Sequence, residues 1–233
     1  MTTEYWQTES TLDSLRSYVL FSVAAVIATA LVSVVADDSP FDRFLAGVPA
    51  PIAMAVMATV GAFSLMLLSA RGWSVGSAPG WTPLVVALGF SVVAIAVDTV
   101  VPFPEDTNVG WPTSVLFYPA IGFLAEILFH VTPVAIIVGL TGWRFGSAVD
   151  DWRVWLIIGT VAVAEAAFQV AAAATDGTDS RLVVFVALHL LAIGLAELTM
   201  FRRFGFGALM TFRMAYYLLW HVGWGHIRLS LLF

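Results

Sequence analysis

The chain has no cysteine and no lysine, and only 11% of its 233 residues are charged. Without thiols there are no disulfides, Cys-ligated zinc, iron–sulfur clusters or thiol catalysis, and any metal falls to His and carboxylate ligands. Without lysine there is no Schiff base, which excludes a seven-span retinal protein. No HExxH zinc-protease helix occurs either. All 10 basic residues are arginine, set against 16 acidic ones for a net charge of −6. That balance is typical of salt-adapted proteins and gives no basic stripe for a phosphate backbone, so no nucleic-acid partner is expected. What is abundant is apolar: 60% of residues are hydrophobic and the mean hydropathy is +0.93. Such a chain cannot clothe a soluble globule, and it reads as a multi-pass protein of the cell membrane in contact with lipid.

Apolar windows long enough to cross roughly 30 Å of hydrocarbon run at about 18–35, 52–70, 82–101, 119–142, 155–174, 182–201 and 207–224. They predict an all-α transmembrane helix bundle of about seven helices forming a single membrane domain over residues 1–233. The stretches "DDSP", "SAPG", "FPED", "SAVDD" and "TDGTDS" mark loops. The opening segment is acidic and lacks the charged region of a secretory signal, so the first apolar run reads as a retained span. Arg16, Arg71, Arg144, Arg153, Arg202 and Arg203 fall on one side of this topology. Arg43 and Arg181 fall on the other, beside Asp37, Asp38, Asp42, Glu105, Asp106, Asp176 and Asp179. Basic flanks stay cytoplasmic, which predicts the N-terminus inside and the C-terminus outside, with Arg228 discordant.

An ionisable side chain at mid-span costs roughly 2.5–3.5 kcal/mol on insertion scales, so each one needs a partner or a role. Counting about 1.5 Å per residue from the predicted span ends puts Glu126, Glu165, His189 and His221 at one level in the outer half of the membrane. His130 and Gln169 lie one turn from a member of that layer and on its face. Glu197 and Arg213 count to a different level, nearer the inner side, and read as a buried ion pair joining the last two helices. Asp98 reads as a solvated or capping residue at a span end, and His226 as an interfacial one. A layer of three histidines and two glutamates has two readings: a hydrogen-bonded core that orients helices, or a metal site. Imidazole and carboxylate suit a divalent metal, Zn²⁺ above all, whose bound water a nearby glutamate would deprotonate for attack on a carbonyl. Pro133, one turn after His130, is expected to disturb the helix ladder there.

The order of these residues resembles the CPBP (ABI) family of intramembrane metalloproteases, which includes the CAAX-prenyl endopeptidases. "AEILFH" is similar to the family's EExxxR motif, with Glu126 at the second glutamate, Ala125 at the first and His130 in place of Arg. "FVALH" matches FxxxH through Phe185 and His189, although "EAAFQVAA" also fits that position with Ala172 where His would stand. His221 is similar to the last histidine, with Gly225 at the position expected to be polar. The resemblance covers about residues 115–226. It implies a peptidase acting on a membrane-associated peptide or protein, with His189 and His221 as metal ligands, Glu126 as ligand or base, and His130 and Glu165 as ligands or orienting groups. Glu165 is the alternative base. Two other readings stand beside it: a catalytically inactive membrane protein using the layer structurally or for partner binding, and an ion or proton pathway.

Overall fold

The computed structural model describes residues 2–36, 39–45, 47–73, 79–146, 151–174 and 179–233, with side chains described outside residues 2–13 and 172–174. Asp37, Asp38, Asp176 and much of the "SAPG", "SAVDD" and "TDGTDS" loops lie outside that set, as does the side chain of Ala172. Within it the chain is an all-α bundle. Six helices are long and apolar enough to cross a membrane: α1 (Thr2–Val35, spanning from Ser14), α2 (Ala50–Ala70), α3 (Thr82–Val100), α4 (Ser114–Thr141), α5 (Trp152–Ala174) and α6 (Ser180–Phe204). Large apolar side chains such as Leu20, Phe63 and Leu140 face outward, as a bilayer requires. The seventh predicted span is also helical, within α7 (residues 206–231), but it is not among those six. Arg213, Tyr216, Tyr217 and His221 lower its apolar character. The bundle shields them: α7 packs against α1, α3, α4 and α6.

Local sequence sets the helix ends. Pro51 and Pro83 fall in the first turns of α2 and α3, where a missing N–H costs nothing. Gly142 ends α4 in the left-handed conformation. Asp151 accepts the Arg153 amide at 3.0 Å at the start of α5 and also takes its guanidinium. Those bonds hold the Asp151 carboxyl below the usual carboxylate range. This cap therefore keeps its charge as pH falls through that range, and its contribution is lost only below it.

Two helices widen mid-span. In α4 the ladder opens into a π-helical stretch, Glu126–Val131, and in α7 into another, Tyr217–Trp224. In the first, the Thr132 amide donates to the Ile127 carbonyl, one residue wider than an α-turn, and Pro133 follows without an N–H to offer. The expected disturbance at Pro133 is thus a widened turn that carries both Glu126 and His130.

Between α6 and α7 the chain reverses at Gly205, whose φ of 84° and ψ of −173° belong to glycine alone. Glu197 and Arg213 each stand eight residues from this reversal, so the hairpin brings them to one level. Gly205→Ala is expected to lower stability by about 1–3 kcal/mol in thermal unfolding in detergent. Gly89→Ala serves as the control, since a Cβ there meets nothing within 4 Å.

Candidate functional site

Five ionisable side chains from four helices meet at the bundle centre: Glu126 and His130 from α4, Glu165 from α5, Glu197 from α6 and Arg213 from α7. Glu126, His130 and Glu197 are fully buried, and Glu165 and Arg213 are 3% exposed. His130 Nδ1 lies 2.6 Å from Glu126 Oε2, and its Nε2 lies 2.9 Å from Glu165 Oε2, close but out of line for a hydrogen bond. Arg213 donates from Nε to Glu126 Oε1 and from Nη2 to Glu197 Oε2 at 2.7 Å, and Nη2 is 3.8 Å from Glu165 Oε1. Gln169 Nε2 donates to Glu165 Oε1 at 3.1 Å. The guanidinium also sits over the Tyr217 ring, 5.4 Å from its centroid.

Charge and proton counting define what this centre needs. Three carboxylates against one guanidinium leave two negative charges in a low-dielectric interior, a state that calls for counter-charge. The 2.6 Å contact of His130 Nδ1 with Glu126 Oε2 needs a proton between its atoms, and the 2.9 Å approach of Nε2 to Glu165 Oε2 sets lone pair against lone pair unless one of these two atoms is protonated. Neutral imidazole has one, so one more is required. Glu197 Oε1 is buried with no hydrogen-bond partner. Glu126, by contrast, has both oxygens engaged.

This arrangement redraws the layer expected from sequence. Glu126, His130 and Glu165 are together, but Glu197 and Arg213, assigned to another level, belong with them. His189 and His221 do not. They stand eight residues from Glu197 and Arg213 on their helices, about 12 Å along the axis. The depth count missed this because α4 begins at Ser114 rather than near residue 119, which sinks Glu126 roughly 7 Å deeper. Among the described residues, the one group whose metal-ligating atoms lie within 4.8 Å of one another is Glu126, His130 and Glu197.

His189 sits in an aromatic cage. Its ring stacks on Phe185 with centroids 5.0 Å apart, and Nε2 is 3.2 Å from the Tyr216 hydroxyl. The FxxxH spacing therefore appears here as one turn of helix stacking a Phe on a His. His221 stacks on Tyr118 at 4.5 Å, and its Nδ1 accepts from Asn108 Nδ2 at 3.1 Å. Asn108 was not singled out in the sequence, because it comes from the α3–α4 connection, far along the chain. It packs on Gly225: a Cβ at that glycine would meet Asn108 Nδ2 at 2.9 Å.

Beyond it, Arg228 is fully buried and donates to Asp98 at 2.7 and 3.0 Å and to the Phe103 carbonyl at 2.6 Å. Asp98 is buried as well, and takes the Trp224 indole N–H and the Phe103 amide. The solvated reading of Asp98 does not survive this pairing. His226 is exposed, near Trp111.

No family model, curated protein or solved structure matches the chain.

Proposed function

We propose that this multi-pass membrane protein works through reversible proton binding at the Glu126–His130–Glu165–Glu197–Arg213 centre, with the proton state setting how α4, α5, α6 and α7 pack. One observation carries the reading: His130 is held between two carboxylates while a single guanidinium links a third, out of water and short of positive charge. Two protons supply the missing charge, one shared within the His130 contacts and one at Glu197, whose Oε1 lacks a partner. Polar groups lead away from the centre toward one end of the bundle, through half-buried Gln169 on α5 and, past Tyr217, to His221 and Asn108. The measurement is proton release from the purified protein on a jump to alkaline pH. Wild type is expected to release about one proton more than Glu197→Gln; equal release from the two proteins would count against the proposal.

A second reading, the CPBP-type metal-dependent peptidase, draws on the Glu126, His130 and Glu197 donor set and on the His221–Asn108 pair. The fit is poor. The ligands expected from the resemblance, His189 and His221, stand apart from Glu126, and the assembled donors are engaged with one another and with Arg213. No hydrolytic step follows from this geometry. Stoichiometric metal in the purified protein, with stability lost on chelation, would favour this reading over proton binding.

A further inference from the structure

A cavity of about 280 Å³ lies away from the central cluster, between the N-terminal part of α1, the end of α2 and the segment after α4. Its size is near the lower end of small-molecule pockets, roughly 300 Å³. Its two sides differ. Leu65, Leu68, Phe145 and Phe201 are buried and give an apolar floor, whereas Arg71 and Arg144 stand on the rim with Ser14 and Ser69. Among the described residues no carboxylate pairs with Arg71 or Arg144, in contrast to Arg43, Arg153, Arg213 and Arg228, each of which has an acidic partner. The walls are fixed in place. Phe145 N donates to the Arg71 carbonyl at 2.8 Å, and Arg202 ties the Gly72 and Gly146 carbonyls together from behind.

We propose that this cavity binds a phosphate group, that of an anionic lipid headgroup, with the two guanidinium groups on the phosphate and the apolar floor against the glycerol and first methylenes. Two arginines beside an apolar wall at a helix end match a lipid better than a free ion, because a free phosphate has no use for the floor. The inference is independent of the proton reading, since no residue is shared.

The test uses the full chain in phosphatidylcholine nanodiscs with rising phosphatidylglycerol, read as the thermal unfolding midpoint. A parallel series replaces the lipid with inorganic phosphate at matched ionic strength. Phosphatidylglycerol is expected to raise the midpoint saturably. Arg71→Gln combined with Arg144→Gln should weaken that response at least about tenfold, given ~1 kcal/mol per surface charge, with the midpoint in pure phosphatidylcholine unchanged. Arg144→Gln alone, at an exposed side chain, gives part of the loss should the double variant fold poorly. Arg43→Gln, in an exposed pair with Asp106 on the other end of the bundle, leaves the response intact. Stabilisation by the lipid alone assigns the site to a headgroup, and stabilisation by inorganic phosphate as well assigns it to the phosphate anion. A phosphatidylglycerol response equal in wild type and double variant, or absent from both, overturns the proposal.

Discussion

Replacing Arg213 by methionine is expected to destabilise the protein by about 3–5 kcal/mol, the cost of leaving buried charge without its partner. Arg213 reaches Glu126, Glu197 and, more distantly, Glu165. Without it Glu126 and Glu165 share one imidazole at buried positions and no guanidinium remains beside them. Glu197→Gln is predicted to behave in the opposite way. It replaces a protonated carboxyl by a neutral amide of similar shape and keeps an oxygen able to accept from Arg213, so its effect should lie within about 1 kcal/mol of zero. Reversible unfolding of the two variants in the same detergent checks the pair. The asymmetry follows from the charge deficit. A cluster balanced without a proton at Glu197 would lose stability from either change.

The second large effect is expected away from the centre, at the Asp98–Arg228 pair. Arg228→Met should also cost about 3–5 kcal/mol, because Asp98 keeps only the Trp224 and Phe103 N–H groups when its ion-pair partner goes. Arg228 also donates to the Pro104 carbonyl and, weakly, to Asn108 Oδ1. Its loss therefore loosens the connection that carries Asn108 to His221. Combining Asp98→Asn with Arg228→Met should recover part of the loss, since no unpaired charge then remains. A double-mutant cycle gives that coupling directly, with a sign opposite to simple addition.

Much of this architecture is written in the sequence, and the parts that are not have identifiable causes. Apolar runs and their loops give the bundle. The solvation cost of mid-span polar groups singles out Glu126, His130, Glu165, Gln169, His189, Glu197, Arg213 and His221 as residues that need partners. Which of them share a level depends on where each helix starts, and a five-residue error at α4 is enough to separate Glu126 from Glu197 and Arg213. Gly205 offered a better ruler. Counting outward from a reversal fixes relative height on both helices at once, and it places Glu197 beside Arg213 whatever the far ends do. Asn108 and the Asp98–Arg228 pair lay beyond such counting, because they join segments more than a hundred residues apart through a loop. The widened turn at Glu126–Val131 was foreshadowed by Pro133. Its counterpart at Tyr217–Trp224 contains no proline.

The two polar tiers also explain why a resemblance based on motif order and a centre based on geometry diverge. Motif order gathers Glu126, His189 and His221. The folded chain puts His189 against Phe185 and Tyr216, His221 against Tyr118 and Asn108, and leaves Glu126 with Arg213 and His130. Spacing along the sequence preserves which face a residue lies on, but not its depth.

Infrared difference spectroscopy of the reconstituted protein between acid and alkaline pH tests the central claim most directly. The account predicts a protonated carboxylic-acid carbonyl band that bleaches on alkalisation, is lost in Glu197→Gln and is indifferent to chelator. A spectrum with no protonated carboxyl at any pH, and carboxylate bands that shift instead when a chelator strips a bound divalent metal, would contradict it.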